Sequence, residues 1–179
     1  MDAQLAEVGR RGGLAILNHP YSDNESLEWH TKLFRGHSAE SLVGLELAGD
    51  EASEIDFSIA LWDQLLGALM PRRPIWDFGA YDGTYPKLVS IAVDRDAGEV
   101  SIDASGYDEI LWISQPSSSG PKPDAAAPWP AGTVVQRGPL LDYSKADATL
   151  RYVRAEIVRR SGDGAIRLFL NPFALMRPR

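Results

Sequence analysis

The sequence predicts an α/β domain with parallel strands that gives way to a mostly antiparallel β unit. Three observations predict it. Short apolar runs, Leu14-Ala15-Ile16-Leu17 and Val43-Gly44-Leu45-Glu46-Leu47, have the near-continuous apolar character of strands buried on both faces of a parallel sheet. Helical and strand-like segments alternate through the first half, the order expected when helices cross over between parallel strands. In the second half the pattern changes to period two, punctuated by glycine turns, as in hairpins. The division is placed at residues 1–86, the α/β part, and 87–179, the β extension.

Taken in order, Asp2 to Val8 reads as a helix stopped at Gly12-Gly13, where glycine supplies a left-handed end. The first strand follows and finishes at Asn18-His19-Pro20. Residues 21–41 are polar and irregular, with a short helix around Leu27 to Phe34. After the second strand comes the clearest helix. Ser53 caps it with Asp56 three residues on, and Ile55, Ile59, Trp62, Leu66 and Leu69 form one stripe at helical spacing. Pro71 and Pro74 close it. A third strand, Ile75 to Phe78, leads into the turn Gly79 to Thr84.

Beyond residue 86, Val89 to Val93 and Glu99 to Asp103 flank Asp96-Ala97-Gly98 as a hairpin. Ile110 to Ile113 is a further strand, and residues 115–132, rich in Pro, Ser, Ala and Gly, form a long surface loop. Tyr152 to Val158 alternates as a half-buried strand, turns at Gly162-Asp163-Gly164 and returns as Ile166 to Leu170.

Composition narrows the function classes. The chain has 179 residues, 44% of them hydrophobic and 24% charged, enough apolar surface for a packed core. No apolar run approaches the ~20 residues of a membrane span. The opening Met1-Asp2-Ala3-Gln4 has neither the basic nor the apolar region of a secretory signal, so a cytoplasmic location is expected, without a membrane partner. Without cysteine there are no disulfides, zinc thiolates or cysteine nucleophiles. A net charge of −7 argues against nucleic acid as a partner, since neutralising phosphates needs a basic face. Arg72-Arg73 and Arg159-Arg160 read as solvated surface. The markers of nucleotide-binding loops and of the serine-hydrolase elbow are absent.

Few residues are placed to carry chemistry. His19 ends a buried strand, where ligands and catalytic groups gather in parallel α/β folds; it is either a metal ligand or a hydrogen-bonded strand cap. Asp82 stands just past the third strand, as a divalent-metal ligand or as the first half of an Asp-Gly turn. Glu46 and Asp77 lie within strands, either lining the same site or turned from it. His30 and His37 are expected at the exposed surface. Trp62, Trp76, Trp112 and Trp129 read as core or interface aromatics.

The segment Gly12-Gly13-Leu14-Ala15-Ile16-Leu17-Asn18-His19-Pro20 resembles the third motif of the PHP (polymerase and histidinol phosphatase) superfamily of metal-dependent phosphoesterases. Gly44 to Leu47 resembles the strand that follows in that family, Leu61-Trp62-Asp63-Gln64-Leu65-Leu66 its W-D-x-L-L helix, and Arg73 to Thr84 the strand ending in its D-x-H motif. Leu150 to Ile157 with Asn171-Pro172-Phe173 resembles the ending of its carbaryl-hydrolase-like branch. The resemblance implies a partial, distorted (β/α)7 barrel, its C-terminal portion, holding divalent zinc, manganese or iron and acting on a small ester or phosphoester. Carried over, His19 and Asp82 would be metal ligands, with Glu46, Asp77 and Thr84 lining the site. Thr84 stands where the motif has its second histidine, and the family's opening H-x-H motif has no counterpart, so the metal site is expected to be incomplete. A complementary N-terminal half on another chain, or a homo-oligomer, would then complete it. The alternative is a non-catalytic fold remnant used for binding or assembly.

Overall fold

The computed structural model describes residues 1–21, 25–47, 52–78, 85–115, 131–147, 149–162 and 164–175. The chain begins with helix α1 (Asp2–Arg10), strand β1 (Ala15–Leu17), helix α2 (Leu27–Gly36), strand β2 (Leu42–Glu46), helix α3 (Ala52–Leu69) and strand β3 (Trp76–Phe78). Among the described residues only strands and one short 3-10 turn (Tyr143–Lys145) follow: β4 (Lys87–Asp94), β5 (Glu99–Ser105), β6 (Glu109–Ser114), β7 (Thr133–Arg137), β8 (Leu140–Asp142), β9 (Tyr152–Ser161), β10 (Gly164–Phe169) and β11 (Phe173–Ala174).

The strands form three sheets. β1, β2 and β3 lie side by side and parallel. The second sheet runs β10-β9-β6-β7 with β11 on β9, and the third runs β4-β5-β8, both antiparallel. The expected (β/α)7-type barrel is therefore overturned. The described part of the chain is mostly β, its sheets are open, and among the described residues no helix after β3 carries the chain back for another parallel strand. Closing a parallel (β/α) barrel needs repeated strand–helix units, and here the alternation ends at β3 in favour of the β4–β5 hairpin.

Two apolar cores hold these layers. The first gathers Leu17, Leu42 and Leu45 from the parallel sheet, Leu33 and Phe34 from α2, and Ile59, Leu61, Trp62, Leu65 and Leu66 from α3. Trp62 also donates its indole N–H to the Ile75 carbonyl at 2.8 Å, tying α3 to the start of β3. The second gathers Val100, Ile102 and Leu141 from the third sheet with Ile110, Trp112, Val153, Ala155 and Ile157 from the second.

β9 serves both cores because successive side chains point to opposite faces. Val153, Ala155 and Ile157 enter the second core, whereas Tyr152 belongs to the first and Arg154 reaches Asp63 on α3. The period-two pattern of this segment predicts one solvated face; instead every residue from Tyr152 to Val158 is buried. The second sheet is sandwiched between α3 and the third sheet, and that placement leaves no wet face at β9.

Helix α2 follows its local chemistry. The Ser26 hydroxyl accepts the Trp29 amide at 3.1 Å as an N-cap. His30, expected outside, is fully buried under Trp29, its Nδ1 3.0 Å from the Ser26 carbonyl. His37 is largely covered too, with Nε2 3.1 Å from Asp2 of α1.

Candidate functional site

The C-terminal end of the parallel sheet carries His19 and Glu46. β1 stops at Leu17, and two residues later the backbone of His19 takes a positive φ of 48°. This left-handed conformation is unfavourable for a residue with a Cβ and persists only where neighbours over-determine it. Here Glu46, the last residue of β2, accepts the His19 amide through Oε2 at 2.9 Å. The same oxygen lies 3.4 Å from His19 Nδ1, and the Tyr21 hydroxyl lies 3.2 Å from that nitrogen. The His19 ring is exposed, meets Tyr21 edge to face, and is flanked by the buried Pro20. The tight turn thus sets an exposed imidazole beside a largely covered carboxylate from the neighbouring strand end.

Asp77 does not join them. The register pairs Leu45 with Asp77 and Glu46 with Phe78. Registered residues of a sheet share a face and neighbours along a strand alternate, so Asp77 stands on the core side and Glu46 on the other. Burial pushes the Asp77 carboxyl up to about 6, against the opposing pull of its own backbone hydrogen bonding and of the Arg154 charge. Its amide donates to Asn171 Oδ1 at 3.1 Å. Asp82 and Thr84, the two residues of the D-x-H-like segment, lie outside the described residues, as does Trp129.

A catalytic metal site commonly takes three protein ligands with an open position. His19 and Glu46 supply two, and among the described residues no group of three or more His, Asp or Glu side chains could hold an ion. These residues do not by themselves form a metal centre.

The face that bears Glu46 also carries exposed apolar side chains. Ile16, Gly44 and Trp76 register across β1, β2 and β3 in one row on this face. Ile16 is 40% and Trp76 51% exposed, although parallel sheets are normally covered on both sides. Gly44 lets the strands come close at this row: a Cβ there would stand 2.0 Å from the Trp76 carbonyl oxygen and 2.9 Å from the Phe78 ring.

A second constellation, unforeseen in the sequence, sits between α3 and β9. Arg154 Nε and Nη2 donate to Asp63 Oδ1 and Oδ2 at 2.7 and 2.8 Å, and Nη1 donates to Glu156 Oε1 at 2.6 Å. Its guanidinium stacks 4.9 Å from the Trp62 ring and 5.9 Å from that of Phe169. Asp63 also accepts the Gly132 amide at 2.7 Å and the Tyr152 hydroxyl at 3.1 Å. Arg154, Asp63 and Glu156 are all buried. Burial alone would lower the Arg154 guanidinium, but the Asp63 and Glu156 carboxylates outweigh it and raise it above its ordinary value. Burial, and then the Asp63 charge, push the Tyr152 phenol up. With its hydrogen-bonding capacity engaged and no solvent access, this cluster joins layers rather than serving a substrate. One signal in the sequence could have revealed it. Asp63 falls within the apolar stripe of α3, four residues after Ile59 and three before Leu66, where a charge requires a partner.

No helix among the described residues is long and apolar enough to cross a membrane. Comparison of the chain with models of known protein families, with curated proteins and with solved structures gives no match.

Proposed function

We propose that the chain is a half-site module of a metal-dependent hydrolase acting on phosphoesters. It presents His19 and Glu46 at the end of a sheet face with exposed apolar side chains, and a second polypeptide that covers this face supplies the remaining ligands. The single observation that carries the reading is the exposure of Ile16 and Trp76 in the row Ile16–Gly44–Trp76 on the face that bears Glu46. An exposed indole and isoleucine on a parallel sheet favour a covering partner, and the solvent-facing imidazole beside a carboxylate favours a shared ligand set. The resemblance of the His19-Pro20 segment to the PHP superfamily supplies the reaction class.

The test is a manganese and zinc titration of the purified chain and of His19→Ala, with turnover of a generic phosphodiester, alongside light scattering on the chain and Trp76→Asp. The expected outcome is weak metal binding that depends on His19, no turnover by the chain alone, and weak self-association through the exposed Ile16 and Trp76 side chains, which brings no further metal ligands and which Trp76→Asp abolishes. A monomer that binds stoichiometric metal and turns over phosphodiester unaided would overturn the half-site reading. Association without any His19-dependent metal binding would favour a purely non-catalytic assembly module.

A further inference from the structure

We propose that a groove at the opposite end of the parallel sheet, between the C-terminal ends of α2 and α3 and the start of β9, binds a small organic phosphate. The groove has a volume of about 710 Å³ and is lined by Arg35, Arg72, Arg73 and Arg151 over a floor of Leu69, Met70 and Pro71. α2 and α3 both end here and lead into β2 and β3, whereas His19 lies where those strands finish. This site is independent of the half-site reading.

The four arginines divide by what they already do. Arg73 is structural. Its guanidinium donates to the carbonyls of Phe34 at 2.9 Å and Pro74 at 2.6 Å, and to those of Ser38 and Leu42, and it stacks 5.4 Å from the Phe34 ring. It therefore satisfies the end of α2, and its amide donates to the Leu69 carbonyl at the end of α3 at 3.0 Å. Arg35, Arg72 and Arg151 are exposed, form no ion pair among the described residues, and no acidic side chain lines the groove with them.

That grouping runs against the overall charge of the chain. The chain carries 25 acidic and 18 basic residues, so an average patch would be acidic. Three surplus guanidinium groups beside a fourth give a concentrated positive field with rigid forks suited to several oxygens at once. A phosphate monoester presents those oxygens and two charges; a carboxylate presents fewer of both. The apolar floor receives an organic body, and the volume falls within the roughly 300–1,000 Å³ of small-ligand sites. A single short groove on a chain of net charge −7 does not track a nucleic-acid backbone.

The experiment is a calorimetric titration at low salt with phenyl phosphate, inorganic phosphate and benzoate as probes. It is run on the purified chain and on Arg35→Gln, Arg72→Gln, Arg151→Gln and the distant Arg95→Gln, with circular dichroism to confirm folding. Saturable one-site binding of phenyl phosphate is expected, weakened about three- to tenfold by each groove variant and unchanged by Arg95→Gln. Inorganic phosphate should bind more weakly than phenyl phosphate, because it leaves the floor empty. Absence of saturable binding, or equal effects of groove and distant variants, would overturn the proposal. Benzoate binding as tightly as phenyl phosphate would overturn the phosphate assignment.

Discussion

The Arg154 guanidinium meets the Asp63 carboxylate through two parallel hydrogen bonds, Nε to Oδ1 at 2.7 Å and Nη2 to Oδ2 at 2.8 Å, with both residues buried. Removing one partner of such a pair strands a buried charge. Arg154→Ala leaves both the Asp63 and Glu156 carboxylates without their main counter-charge and should cost about 3–5 kcal/mol in urea denaturation. Arg154→Lys should restore little, since an ammonium cannot reproduce the fork that reaches both acids. A loss below ~1 kcal/mol for the alanine variant would show that water or a rearranged neighbour replaces the arginine.

Gly44 predicts a second effect. With the Trp76 carbonyl oxygen only 2.0 Å from where a Cβ would be, Gly44→Ala must push β3 away from β2. The expected cost is about 2–3 kcal/mol, and amide exchange at Leu47, whose N–H bonds to the Phe78 carbonyl at 2.8 Å, should speed up. Unchanged exchange there would argue that the strands tolerate the methyl.

Asp77 makes stability depend on pH in an unusual direction. The folded carboxyl holds its proton up to about 6, whereas the unfolded one releases it near its ordinary 3.8. Between these values the folded state binds more protons, so Asp77 lowers stability as pH rises through that window. Asp77→Asn mimics the neutral acid. It should stabilise the fold at pH 8 by at most about 3 kcal/mol, and the difference should vanish below pH 4. A gain that persists at pH 4 would mean that the benefit does not come from the charge.

The strained backbone at His19 separates conformation from chemistry. Glycine takes a positive φ without penalty and alanine does not, so His19→Gly should be about 1 kcal/mol more stable than His19→Ala. Both variants lose the imidazole and should show the same loss of metal binding. Equal stabilities would show that the turn relaxes once the ring has gone.

Much of the local structure was legible in the residues. The apolar stripe of α3 and the Asp96-Ala97-Gly98 turn of the β4–β5 hairpin are local patterns, and local forces decide them. What packs against each element is not local. β9 reads as half-exposed because it alternates, yet α3 covers the face that Arg154 and Glu156 occupy, and only the pairing of residues 91 positions apart makes those charges tolerable there. The barrel expectation failed for the same reason. A strand and a crossover helix look alike whether a sheet closes or stops, and the stop here comes from the hairpin after β3. His30 was misplaced because its partner is a carbonyl one turn earlier, which no composition rule reveals. At the rim, the strand-end position of His19 was readable, but its union with Glu46 across 27 residues needed the β1–β2 register.

The reach of β9 into both cores bears on how the molecule comes apart. A chain severed after Pro86 would keep α3 but lose Arg154, Glu156 and the Tyr152 ring, leaving the Asp63 carboxylate facing an apolar pocket with nothing to neutralise it. The visible change of architecture near residue 86 is therefore no seam for unfolding. Heat or denaturant should melt α3 and the long central strand in a single step, with their slowest-exchanging amides sharing one opening free energy.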